Sequence, residues 1–124
     1  MLVSSQTDVL SNRFGDEQAI RILAQAGYDA FDLSLFRLYH DKNYEMNTPG
    51  FRAYAEHLRR VADEVGIVCN QAHAPFPSST DDPEETEIIF KMIVRAMEAA
   101  AIVGAKSSSF TPDSTCATTA TSRR

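Results

Sequence analysis

The sequence predicts an α/β protein built on a parallel sheet, and three observations carry that expectation. Apolar runs open near residues 2, 28 and 67, and each gives way to a stretch with helical spacing. Those helical stretches close on Gly27, Gly66 and Gly104, the residue type that ends helices most readily. Alternation of this kind covers a parallel sheet with helices and gathers the C-terminal strand ends on one face, where loops carry chemistry. A doubly wound sheet and a (β/α)8 barrel both satisfy it. No glycine-rich phosphate loop follows the first strand, which disfavours the nucleotide-binding version of the doubly wound sheet.

Leu2 to Gln6 reads as the first strand, and Thr7-Asp8-Val9-Leu10-Ser11-Asn12 as the loop it enters. A helix follows from Asp16 as N-cap, with Ile20, Leu23 and Ala24 on one face. Tyr28 to Ser34 alternates around Phe31 and Leu33 as the second strand, and Arg37 to Asn47 is polar and long for a connecting loop. Thr48-Pro49 reads as an N-cap with proline in the first turn. Phe51, Tyr54, Ala55, Leu58, Val61, Ala62 and Val65 then recur at helical spacing up to Gly66. Gly66 to Ala72 is the third strand, ended by His73-Ala74-Pro75-Phe76-Pro77 because each proline biases its predecessor away from helix. Asp82-Pro83-Glu84-Glu85 supplies an N-cap, a first-turn proline and a capping-box glutamate. The third helix runs on through Ile88, Ile89, Met92, Ile93, Ala96, Met97, Ala100 and Val103.

The pattern breaks after Lys106, dividing the chain into an α/β part, 1–106, and a Ser/Thr-rich tail, 107–124. Ten of those last 18 residues are Ser or Thr, and Ser107-Ser108-Ser109 stands where a fourth buried strand is due, so an irregular tail is expected. Writing Ser107, Ser108 and Ser109 as TCN codons and Phe110 as TTY, then moving the frame by one base, yields codons restricted to Ile, Val, Leu or Phe, followed by one, completed by the Thr111 codon, that is His or Tyr. One permitted reading is Ile-Ile-Val-Val-His-Pro, a buried strand ending in a polar loop. A base lost in a run of A's at the Lys106 codon produces such a change, and the tail is expected to be a frameshift product. Coding DNA with no missing base relative to close relatives would overturn this hypothesis.

Composition narrows the function classes. A 44% hydrophobic, 23% charged chain of 124 residues is globular in composition and of one ordinary domain's length. Net charge is −5 and the basic residues are scattered, so no nucleic-acid footprint is visible. Cys69 and Cys116 lack metal spacing and read as incidental thiols of a reducing compartment. Neither a secretory start nor an 18-residue apolar window is present, so a cytoplasmic location without membrane contact is expected.

His73 is the sharpest chemical candidate, because it sits where a parallel strand runs out and Pro75 and Pro77 stiffen the chain beside it. Such an imidazole binds a divalent metal or hydrogen-bonds a hydroxyl or phosphate; the plainer alternative is a histidine serving a loop backbone group. Gln6 and Asp32 end the first two strands and would face the mouth of a closed barrel, though Asp32 equally suits a loop cap. His40, with Arg37, Asp41 and Lys42, suits a substrate-covering loop, and His57, among Glu56, Arg59 and Arg60, a solvated helix face. Asp81, Asp82, Glu84, Glu85 and Glu87 are better explained by a helix macrodipole than by carboxylate catalysis. No Ser-His-Asp order, Cys-His pairing or His-x-x-x-His spacing occurs.

Gln71-Ala72-His73-Ala74-Pro75-Phe76, closing a strand that follows Gly66, resembles the xylose isomerase-like TIM-barrel superfamily. That superfamily joins sugar phosphate isomerases and epimerases with the endonuclease IV branch. Ala26-Gly27-Tyr28-Asp29-Ala30-Phe31-Asp32-Leu33 and Ala100-Ala101-Ile102-Val103-Gly104-Ala105-Lys106 extend the resemblance, which covers Met1 to Lys106. The strand read in the shifted frame is similar to the family's fourth. The resemblance implies the first three βα units of a truncated (β/α)8 barrel, where a full barrel takes about 250 residues. It implies a zinc, manganese or magnesium site in the parent enzyme, with most ligands on later strands. His73 aligns with a histidine that ligates zinc in the endonuclease IV branch and lines the sugar pocket elsewhere; with Gln6 and Asp32, read from their strand-end positions, it completes the expected substrate contacts. The implied parent acts on a sugar or sugar phosphate, this chain lacks the metal site and is inactive alone, and open sheet edges invite self-association. An endonuclease IV-like zinc phosphodiesterase and a non-catalytic α/β binding module are the alternatives.

Overall fold

A computed structural model describes residues 3–109. Met1, Leu2 and residues 110–124, hence Cys116 and most of the tail, lie outside the described residues. The elements run β1 (Ser4–Gln6), α1 (Asp8–Phe14), α2 (Asp16–Gln25), β2 (Ala30–Ser34), α3 (Arg37–His40), a 3-10 turn (Glu45–Asn47), α4 (Phe51–Val65), β3 (Val68–His73), α5 (Pro83–Val103) and β4 (Ser107–Ser109). The strands form one parallel sheet in the order β1-β2-β3-β4.

Strict sequence order is informative, because successive right-handed crossovers that all step the same way lay their helices on the same face. The core agrees. Ile20 and Leu23 of α2, Leu58 and Val61 of α4, and Ile89, Ile93 and Val103 of α5 join one cluster with Phe31, Leu33, Cys69 and Ala72 of the sheet. The sheet's other face carries polar groups instead: Ser4, Asp32, Ser34, Gln71 and His73 alternate with the core residues. Among the described residues the helices thus cover one face of the sheet and leave the other polar, whereas a doubly wound sheet sets helices on both faces.

Several expectations are corrected. The serine run is not irregular throughout: Ser107, Ser108 and Ser109 pair with Gln71, Ala72 and His73 as β4, since backbone pairing in a ladder requires no apolar side chain. The loop expected over Thr7 to Asn12 is largely helix, with Asp8 in the first turn of α1 and Arg13 in the last, the signs that suit its dipole. The polar loop from Arg37 to Asn47 holds α3 and the 3-10 turn and buries Leu38, Tyr44 and Met46 completely or nearly so. Helix α4 starts at Phe51 behind Gly50, leaving Thr48-Pro49 outside; the Thr48 hydroxyl donates to the Glu45 carbonyl at 2.7 Å.

Other signals held. Asp82 caps α5 by accepting from the Glu84 N–H at 3.0 Å, and Pro83 fills its first turn. Glu85 makes no capping box; its carboxylate takes the Tyr39 hydroxyl at 2.9 Å and ties α3 to α5. Ile88 and Met97, assigned to the core face by spacing, are exposed, while Ile89, Ile93, Ala96 and Ala100 face the sheet.

Candidate functional site

Three polar side chains meet at the C-terminal ends of β2 and β3, on the face the helices leave open. Register sets Asp32 beside Gln71 and Ser34 beside His73. The Gln71 Nε2 amide lies 3.3 Å from Asp32 Oδ2 and 3.3 Å from His73 Nε2, so one side chain bridges the other two. Asp32 Oδ1 and His73 Nδ1 are both buried and make no hydrogen bond among the described residues. An acceptor and a ring nitrogen are thereby left for something else, because buried polar atoms are ordinarily satisfied.

A bulge makes this meeting possible. The ladder between β2 and β3 pairs Phe31 with Cys69 but Asp32 with Gln71, leaving Asn70 as the additional residue. Strict alternation from Cys69 would send Gln71 and His73 to the helix side together; the additional residue turns both toward Asp32. Asn70 shares their face, and its amide donates to the Ser4 hydroxyl at 3.3 Å, spanning β2 to reach β1.

The loops wall one side. The Phe36 ring meets His73 edge-on at 6.1 Å between centroids and Phe76 at 5.1 Å, the latter ring standing 49% exposed. The backbone is tied where β2 ends: Leu35 N–H donates to the His73 carbonyl at 2.9 Å, and Ser34 N–H to the Thr7 hydroxyl at 2.9 Å. The Ser34 hydroxyl donates to Asp8 Oδ1 at 3.1 Å, so α1 helps fix the rim.

Of the residues singled out from sequence, Asp32 and His73 are brought together and Gln6 is not. Gln6 pairs in register with Asp32 on the same face but is exposed. His40 is exposed, its ring edge-on to Tyr39 at 5.2 Å. His57 is half-buried and contacts Glu17 at 2.6 Å; that hydrogen bond, then the one from Arg21, holds the Glu17 carboxyl below its ordinary range. Cys69 is buried beneath the sheet, and burial pushes its thiol up to about 12. Gln71, Asn70 and Phe36 were not anticipated. The one signal for Gln71 was its i,i+2 spacing from His73 at a strand end.

A second buried polar group lies away from the strand ends. Asp16, 1% exposed, accepts the Tyr44 hydroxyl at 2.6 Å and the Tyr54 hydroxyl at 3.0 Å on one oxygen. The Arg37 guanidinium stacks 4.3 Å from the Tyr44 ring centre. This is scaffold: it pins α2 to α4 and to the segment before it.

No group of three or more His, Cys, Asp and Glu side chains suited to a metal ion occurs among the described residues. Asp32 and His73 offer two ligand side chains where catalytic metals take three, so the described residues by themselves do not make up a catalytic metal site. No protein-family model matches the chain, and neither does any curated protein. Among the described residues no helix is long and apolar enough to cross a membrane.

Proposed function

We propose that residues 3–109 form the opening wall of a sugar isomerase or epimerase barrel, binding part of a sugar or sugar phosphate without catalysing its reaction. The observation that supports this most is the Asp32–Gln71–His73 cluster at the C-terminal edge of a one-sided, sequentially ordered parallel sheet. Asp32 Oδ1 accepts from a hydroxyl and His73 meets a second oxygen, a pairing suited to polyols. Moving a proton next to a carbonyl takes paired carboxylates and a polarising cation; this cluster contributes one carboxylate. Zinc, manganese or magnesium would belong to ligands on strands beyond β4.

Assaying the purified chain with aldoses, ketoses and their phosphates, each with zinc, manganese or magnesium, should give no turnover above background. Turnover would refute the wall reading. Coding DNA read in the shifted frame for about another 150 codons, the remainder of a typical barrel, should then show Glu, Asp and His at strand ends.

One observation favours the non-catalytic module instead: β4 is built from Ser107–Ser109 as they stand, giving four strands without a restored frame. Size-exclusion chromatography with light scattering separates the two. A discrete monomer or dimer supports the module; concentration-dependent aggregate, formed through open sheet edges, supports the interrupted barrel. The phosphodiesterase reading has only the resemblance behind it, and the −5 net charge opposes it.

A further inference from the structure

We infer that Gln71 is a positioning residue that holds His73 in its neutral Nδ1–H form, making His73 a hydrogen-bond donor to an incoming oxygen rather than a metal ligand. The Gln71 amide nitrogen sits 3.3 Å from Asp32 Oδ2, and a carboxylate oxygen there accepts. Turning the amide over would set two acceptors against each other, so Asp32 dictates which end of Gln71 faces the cluster. The same nitrogen lies 3.3 Å from His73 Nε2 and has only protons to give, so Nε2 must offer its lone pair. In a neutral imidazole the ring proton is then on Nδ1.

That nitrogen is buried and makes no hydrogen bond among the described residues. A metal needs a lone pair from the ring, but the Nε2 pair is engaged by Gln71 and Nδ1 carries the proton. Both ring nitrogens are thus closed to zinc while Gln71 stays in place. The oxygen that meets Nδ1–H is a sugar oxygen only if the proposed function holds; the tautomer does not depend on it.

The test uses the full chain labelled with ¹⁵N, with long-range ¹H–¹⁵N correlation of the imidazoles near neutral pH. His40→Gln and His57→Gln assign the other two rings. His73 should show a protonated Nδ1 and an unprotonated Nε2, and zinc chloride at one equivalent should leave both shifts in place. In Gln71→Leu the preference for Nδ1–H should be lost, and in Gln71→Glu the proton should move to Nε2. A wild-type ring protonated on Nε2, or His73 shifts that move with zinc, overturns the inference. If Gln71→Leu does not fold, the wild-type tautomer and its zinc response decide alone. No sugar enters the measurement, so failure of the sugar reading leaves this result standing.

Discussion

Asp16 reads from sequence as a helix N-cap, but Gly15 holds that position and Asp16 opens α2 without a capping hydrogen bond; its actual partners could not be read from sequence. They are hydroxyls 28 and 38 positions downstream, brought in by the segment before α4 and by α4 itself. Asp16→Ala should therefore cost about 1–3 kcal/mol in chemical denaturation, because two buried or half-buried hydroxyls lose their acceptor. The same site sets an alkaline limit. Burial first, and the Asp16 charge second, raise Tyr44 and Tyr54 above the ordinary tyrosine value of 10.0. Unfolded tyrosines ionise near that value while the folded ones keep their protons, so stability is retained below about pH 10 and falls as pH rises beyond it. Tyrosinate absorbance and the loss of far-UV circular dichroism should rise together. Cys69 supplies a third check: in a Cys116→Ser chain, the thiol raised to about 12 should react slowly with a disulfide reagent at pH 8 until the protein unfolds.

At the scale of elements, legibility followed amphipathicity. Helices α4 and α5 were plain because each repeats apolar residues toward the sheet and closes on a left-handed glycine. Helix α1 was not, since Val9 and Phe14 stand 75% and 53% exposed and no apolar stripe survives. Gly104 is the sharper test of a helix end. Its φ is +100°, and a Cβ there would lie 2.7 Å from the Arg59 guanidinium, which donates to the Ile102 carbonyl at 3.4 Å. Gly104→Ala should lower stability by about 1–2 kcal/mol through the left-handed backbone alone, measured by denaturant midpoint.

For the whole molecule, the sequence pointed to the parallel sheet, the helix layer and His73, but not to what surrounds His73. The cluster depends on a register shift, and period-two reasoning assigns Gln71 and His73 to the face of Cys69. It also missed β4, whose pairing resides in peptide groups that serine supplies as well as valine does. Outer strands β1 and β4 are three residues each and form the two edges of the described sheet. Phe31→Ala, within the core cluster of the described residues, should cost about 3–5 kcal/mol and unfold the described elements in a single transition monitored by circular dichroism.

Asn70 offers this protein a place to change length. Removing its codon leaves Cys69 inward, Gln71 outward, Ala72 inward and His73 outward, the arrangement already present, and forfeits chiefly the reach to Ser4. Single-residue deletions in β2 or β3 away from the Asn70–Gln71 bulge would invert every side chain downstream, so indels between relatives should collect at this pair.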